Sequence, residues 1–388
     1  MNYGMFRVAS ASLKLKVANP SYNKVEIKKA IYDAEKQGVR LLVTPELSIT
    51  GYSCGDLFFT KSLIKASNEA LYDIVEYTKD RNIVVVVGAP WAIKNSLYNC
   101  AFVIYKGEIL MAVPKKHLPN YNEFYEKRWF AEAMDEDFSE WINENEYGFD
   151  ISTTKLIKLD DEVTVGVELC EDLWVTNPPS NKLSTEGANI IINLSASDEY
   201  VSKAQYRKKL IETQSAKCIC GYIYAGASVY ESTSDLVFGG ATIIAENGTI
   251  LAEGKRFSRE NVITIADIDC EKLNTPVSPE LLPPDENGKI AQKTEDNIGP
   301  YELHDFFLYN FVRFGFTKEK LQKLAEKAFD GVYDRKTIRK WLDVFMRRFF
   351  ISQFKRNCIP DGPKVGSVSL SPRGDWRMPS DASFEDFM

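Results

Sequence analysis

Short apolar runs alternate with longer amphipathic stretches between residues 6 and 268. Residues 6–16 alternate apolar and polar positions and read as a strand. Pro20-Ser21 opens a helix whose apolar positions Ile27, Ala30, Ile31 and Ala34 share one face, and Gly38 ends it. Leu41-Leu42-Val43 is a short buried strand that runs into Thr44-Pro45-Glu46. A helix around 60–79 precedes the strand 83–87, whose unbroken apolar character predicts burial on both faces. Residues 98–113 pair as a hairpin turning at Lys106-Gly107, and 114–130 form a structured loop dense in Pro, Lys, Asn, Tyr and Glu. Strands follow at 163–167, 189–193, 222–227 and 261–268, with a helix at 200–217 and a hairpin turn at Asn247-Gly248. Strands and helices alternate throughout, so the class is α/β.

The texture changes at 273–300, where Pro276, Pro279, Pro283 and Pro284 precede a polar stretch from Asp285 to Asn297. Helical spacing returns at 301–314, 317–329 and 335–353, and Asp334 is placed to cap the last of these. Ile338, Trp341, Leu342, Phe345, Phe349 and Phe350 give that helix an apolar face, expected to seek a partner. The tail after Pro360 has no periodicity. The pattern therefore predicts an α/β domain over 1–273, a linker over 274–300 and a smaller helical region over 301–388.

Composition narrows the function. A chain of 388 residues that is 44% apolar can bury a large core, and a net charge of −7 argues against nucleic acid or an anionic membrane as partner. No apolar run approaches the ~20 residues that span a bilayer. Met1 to Phe6 lack the basic head and apolar run of a signal peptide. Seven dispersed cysteines suit a reducing cytoplasm, with Cys218 and Cys220 expected on one face. The two histidines, His117 and His304, are far apart, so neither a His-rich metal site nor a Cys–His dyad is expected.

Three reactive groups sit at the ends of predicted elements: Glu46, Lys115 and Cys170. Strand ends on one edge of a sheet converge, and ligand sites collect there. Cys170 is then a nucleophile, Glu46 a base for its proton, and Lys115 a stabiliser of an oxyanion together with the Glu171 N–H. Taken singly, Cys170 also reads as a buried structural thiol, Glu46 as a helix cap and Lys115 as a solvated loop lysine. Only their joint occurrence favours a site.

Three segments carry a resemblance: 45–52 (Pro-Glu-Leu-Ser-Ile-Thr-Gly-Tyr), 114–121 (Pro-Lys-Lys-His-Leu-Pro-Asn-Tyr) and 168–174 (Glu-Leu-Cys-Glu-Asp-Leu-Trp). With the run Leu118 to Phe130, they resemble the Glu-Lys-Cys motifs of the nitrilase superfamily, and within it the glutaminase domain of glutamine-dependent NAD⁺ synthetases, over residues 3–270. The resemblance implies a nitrilase-like αββα sandwich with Glu46 as general base, Lys115 as electrostatic stabiliser and Cys170 as nucleophile. It also implies that Tyr121, Glu171, Ser197 and Lys203 contact the substrate, L-glutamine. Lys116-His117 departs from the family pattern, and Lys115, directly after Pro114, is the lysine that matches.

That family joins its glutaminase to a synthetase domain that amidates deamido-NAD⁺ with ATP and Mg²⁺, using a Ser-Gly-Gly-x-Asp-Ser loop. The nearest string here, Phe238-Gly239-Gly240-Ala241, reads as a turn or bulge. Segments 275–281, 294–306, 353–356 and 370–377 nevertheless resemble the family's C-terminal region, in which Lys355 would reach deamido-NAD⁺. Lys355, Arg356, Lys364, Arg373 and Arg377 suit phosphates, and read equally as surface charges or subunit contacts. The expectation is a glutaminase that needs no cofactor and lacks the synthetase step. It is expected to form a homo-oligomer and to associate with a full-length NAD⁺ synthetase. The alternatives are a non-catalytic assembly subunit and another amidase of the superfamily.

Overall fold

The computed structural model describes residues 4–133, 138–143, 147–274 and 299–351. The chain divides into two compact units, Met1–Thr275 and Pro276–Met388.

The first unit is built on two sheets. The eight-stranded sheet runs β14 (Val262–Asp269), β1 (Met5–Ser12), β2 (Leu41–Val43), β3 (Val84–Ile93), β4 (Ser96–Tyr105), β5 (Glu108–Pro114), β7 (Tyr147–Ile151), β6 (Phe138–Asn143). The six-stranded sheet runs β13 (Thr249–Glu253), β12 (Thr242–Glu246), β11 (Gly221–Gly226), β10 (Ile190–Ser195), β9 (Thr164–Leu169), β8 (Ile157–Lys158). Strands β1, β2 and β3 are parallel, as are β9, β10 and β11.

The period-two alternation of strand side chains explains the layers. Val84 and Val86 of β3 join a core with Val165, Val167, Ile190 and Ile192 of the other sheet. Val85 and Val87 point the opposite way, against Ile27 and Ile31 of helix α1 (Pro20–Glu35) and Leu71 and Ile74 of α2 (Lys61–Tyr77). The far face of the second sheet packs Ile191, Tyr222 and Ile243 against Leu183 of α3 (Pro179–Thr185) and Ile211 of α4 (Lys203–Cys218). The arrangement is an αββα sandwich, and a short helix α5 (Cys270–Leu273) follows it.

Several boundaries differ from the sequence pattern. The first strand stops at Ser12, because the Lys14 and Lys16 N–H groups donate to the Asn261 and Asn23 side chains instead of a ladder. Strand 83–87 continues to Ile93 as half of a hairpin with β4. Pro90 is tolerated inside it because β2 pairs only with Val84 to Val86, leaving no ladder to break on that side. Helix 200–217 begins at Lys203, after Ser202 turns the chain at φ 74°.

In the second unit, helices α6 (Tyr301–Phe314), α7 (Lys318–Ala328) and α8 (Arg335–Ile351) share one core. Asp334 Oδ1 accepts the Thr337 N–H at 2.6 Å and so caps α8. The expectation that the apolar face of α8 seeks a partner is corrected here. Ile338, Leu342, Phe345, Phe349 and Phe350 are buried against Leu303, Phe307 and Phe311 of α6 and Leu321 of α7. Most of the linker (275–298), and the tail with Lys355, Arg356, Lys364, Arg373 and Arg377, lie outside the described residues.

Candidate active site

Glu46, Lys115 and Cys170 follow β2, β5 and β9 respectively. β5 points the same way as β3 because β4 reverses direction between them. The ends of β2 and β5 therefore lie on one edge of their sheet.

The loop after β2 is held tightly. Thr44 Oγ1 meets Ser48 Oγ at 2.8 Å and donates to Val86 O at 3.0 Å, while Ile49 N–H donates to Gly88 O at 3.1 Å. Leu47 is left-handed at φ 50°. Glycine is required at 88, since a Cβ there would stand 2.2 Å from Leu47 N. Glu46 is fully buried. Its Oε1 accepts from Asn99 Nδ2 at 2.7 Å and from Lys115 Nζ at 2.6 Å, while its Oε2 is buried without a hydrogen-bond partner.

Lys115 is buried too, and Lys116 is the exposed member of the pair. The Lys115 Nζ also donates to Glu126 Oε1 at 2.7 Å, and Tyr52 OH donates to the same oxygen at 2.7 Å. Burial by itself would drive the proton off Lys115, but Glu126 and Glu46 outweigh it and hold the ammonium well above its ordinary pKa. The Glu126 carboxyl is pushed up to about 7, chiefly by burial and also by Glu46, with Lys115 opposing.

Cys170 opens a 3₁₀ turn, Cys170–Leu173, in a left-handed conformation with φ 40°. Such backbone is uncommon for a residue with a Cβ and is held only by its surroundings. Its N–H donates to Asn193 Oδ1 at 3.1 Å. Burial, then Glu46, pushes the thiol pKa up, against Lys115 and a hydrogen bond with Ser195. The resting sulfur is thus a thiol that needs a base before it attacks.

Cys170 borders a cavity of about 550 Å³, which Tyr121, Glu171, Ser197 and Lys203 also line. Glu46 and Lys115 are not among its lining residues. Tyr121 OH is 3.0 Å from both Glu171 carboxylate oxygens. Burial and Glu171 push the Tyr121 hydroxyl pKa up, so it remains a donor. Lys203 pairs with Asp198, and its Nζ sits 5.2 Å from the Trp174 ring and 4.9 Å from the Tyr200 ring. Lys355 lies outside the described residues.

Sequence reasoning missed four residues here. Glu126 lay in the motif run beside Glu123, with nothing local to separate them. Asn99 sits inside a hairpin strand. Asp172 accepts from Leu169 N–H at 3.0 Å and from His117 N–H at 2.9 Å. Arg207, buried, donates to Glu199 at 2.7 Å and to the Asp198 carbonyl at 2.9 Å, bracing that cavity wall. Phe238 bridges Asp198, and Gly239 to Ala241 lead into β12 as irregular backbone with Gly240 at φ 68°. Among the described residues, no group of three or more His, Cys, Asp or Glu side chains is arranged to hold a metal ion.

The pattern of the carbon-nitrogen hydrolase family matches residues 7–275. The chain is 37% identical over 275 residues to the glutamine-dependent NAD(+) synthetase of Mycobacterium tuberculosis, covering 70% of this chain and 40% of that protein. It thus spans well under half the length of such relatives. Its fold resembles the crystal structure of a glutamine-dependent NAD(+) synthetase from Cytophaga hutchinsonii, with TM-score 0.61 and 21% identity, over 94% of this chain and 57% of that one. It also resembles an amidase from Nesterenkonia sp., with TM-score 0.56 and 19% identity, over 70% of this chain and 93% of that one.

Proposed function

Because the chain belongs to the carbon-nitrogen hydrolase family, we propose that it hydrolyses the side-chain amide of L-glutamine through Cys170. The observation that supports this most is the Lys115 ammonium, 2.6 Å from Glu46 and buried with it, exerting its field on a cavity-facing cysteine. The name of the relatives, glutamine-dependent NAD(+) synthetase, supports glutamine as the substrate.

Glu46 takes the thiol proton, and the Cys170 sulfur attacks the amide carbon. Lys115 and the Glu171 N–H hold the tetrahedral oxyanion, a preorganised arrangement that needs no reorientation as charge develops. Glu46 returns the proton to the departing nitrogen, so that ammonia leaves and a glutamyl thioester remains. Water, deprotonated by Glu46, then attacks the thioester and releases glutamate and the thiol. Tyr121, Glu171, Ser197 and Lys203 hold the substrate's polar end in the cavity.

The proposed reaction includes no synthetase step. These 388 residues contain no Ser-Gly-Gly-x-Asp-Ser segment. We assign no step to ATP, Mg²⁺ or deamido-NAD⁺, and Lys355 as a nucleotide contact remains part of the proposal. So do a homo-oligomer, association with a full-length synthetase, and the domain scheme of glutaminase, linker and synthetase-like helical tail. The six described cysteines are all unpaired, which supports a reducing cytoplasmic setting.

The test is release of ammonia and glutamate from L-glutamine by the purified chain, beside Cys170→Ala. Release that disappears in the variant is expected. No release from the folded wild type overturns the reading. NAD⁺ made by the chain from deamido-NAD⁺, ATP and ammonia would overturn the exclusion of the synthetase step.

A further inference from the structure

A file of buried polar groups crosses three neighbouring strands behind Cys170. Glu168 on β9, Asn193 on β10 and Tyr222 on β11 are each at most 1% exposed. Tyr222 OH donates to Glu168 Oε1, and Ser180 N–H donates to Glu168 Oε2 at 2.8 Å. Asn193 Nδ2 donates to Tyr222 OH at 3.1 Å, and Cys170 N–H donates to Asn193 Oδ1 at 3.1 Å. The glutaminase chemistry above uses none of these three side chains.

We propose that Glu168, Tyr222 and Asn193 form a positioning relay that fixes the main chain of Cys170 and thereby aims its sulfur. The polarity of the file carries the argument. An ionised carboxylate only accepts, so Tyr222 gives its hydrogen to Glu168 and offers its oxygen to Asn193. The Asn193 NH₂ is thereby turned toward Tyr222, and its carbonyl toward Cys170 N–H. The reversed amide would set its NH₂ against the Cys170 N–H, donor against donor, and its oxygen against the Tyr222 oxygen, acceptor against acceptor. Parallel pairing sets the spacing: Asn193 stands beside Glu168 in register, and Cys170 lies two residues beyond Glu168. Cys170 needs such support because its φ of 40° is one that few residues with a Cβ adopt.

The relay also bears on which amide could serve the oxyanion. Cys170 N–H is engaged by Asn193, which leaves the Glu171 N–H and Lys115 as donors.

The turnover arm of the test rests on the glutaminase reading, and a second arm does not. Asn193→Leu, Tyr222→Phe and the double variant are compared with wild type at about pH 8.5, above the value of about 7 to which burial pushes Glu168. Asn193→Leu should lower kcat ~30-fold with KM within about twofold, since the aim of the sulfur changes and the substrate cavity does not. Tyr222→Phe should lower kcat ~5-fold, and the double variant should match Asn193→Leu, because Tyr222 acts through Asn193. In the second arm, alkylation of Cys170 by iodoacetamide, followed by peptide mass spectrometry, should slow in the same order.

Losses that multiply in the double variant, or kcat and alkylation rates equal to wild type, overturn the relay. If Asn193→Leu fails to fold, Tyr222→Phe decides alone, since it removes one hydroxyl from a site that keeps its shape. If wild type releases no ammonia, the substrate reading fails and the alkylation order alone judges the relay.

Discussion

Asp172 Oδ1 accepts two hydrogen bonds from His117, one from the backbone N–H at 2.9 Å and one from Nδ1 at 2.8 Å. Its other oxygen accepts the Leu169 N–H at 3.0 Å. One carboxylate thus clamps the loop that carries Lys115 to the turn that carries Cys170. Asp172→Ala strands the buried Leu169 N–H and the half-buried His117 donors, and urea denaturation should show a loss of about 2–4 kcal/mol. Ammonia release should fall as well, since the proposed stabiliser Lys115 and the proposed nucleophile Cys170 are no longer held together.

The same contact predicts a pH dependence. Asp172 raises the His117 pKa above its ordinary 6.5, although partial burial opposes it. A raised histidine stabilises the fold fully below the unfolded value and loses that contribution as pH climbs through the folded one. The stability gap between wild type and His117→Gln should therefore be widest near pH 6 and narrow toward about pH 8.5. A gap that widens with rising pH in urea titrations would show that Asp172 does not charge this histidine.

Glu126 shares Lys115 with Glu46. Glu126→Gln removes one of the two charges that hold the ammonium protonated against burial. With the cavity unchanged, kcat for glutamine should fall ~10²-fold and KM should stay within about threefold. Steady-state kinetics with wild-type-like kcat would remove Glu126 from the site.

Lys203 is poised by Asp198 and two aromatic rings on the cavity wall. A charge-assisted contact contributes about 1.5–3 kcal/mol, so Lys203→Ala should raise KM for glutamine ~10- to 100-fold. KM for an amide without charged groups should hardly move. Equal effects on both substrates would assign Lys203 to packing.

Gly88 leaves no room beside the Glu46 loop. Gly88→Ala puts a Cβ 2.2 Å from Leu47 N, against backbone that cannot swing aside. A loss of about 1–3 kcal/mol is expected in thermal or urea unfolding, with turnover falling further because Glu46 is displaced. Turnover and stability both like wild type would mean that the loop after β2 yields freely.

Local periodicity made much of this legible. The valines of 83–87 announced a strand buried on both faces, and the structure splits them between two cores. Strand β6 (Phe138–Asn143) escaped notice because it mixes polar and apolar residues at the sheet's edge. The apolar face of α8 was plain in its spacing, but the helices that cover it were not, because packing partners leave no mark on a helix's own period.

The site divides in the same way. Glu46, Lys115 and Cys170 stood out as candidates because reactive side chains end a strand or hairpin at all three places and the segments around them resemble the nitrilase superfamily's motifs. Their partners were not. Lys115 meets Glu46 across 69 residues, and Cys170 meets Asn193 across 23. Asn99, Glu126, Asp172 and Arg207 resemble ordinary polar residues in their own segments. By itself, the order of residues determines which segments become strands and helices and which side chains have reactive chemistry, because those properties act over a few positions. Which carboxylate meets which lysine, and which amide holds the nucleophile, depends on strand register and on how the sheets stack. Burial then sets the strength of those meetings, since the same charges in water would barely shift one another.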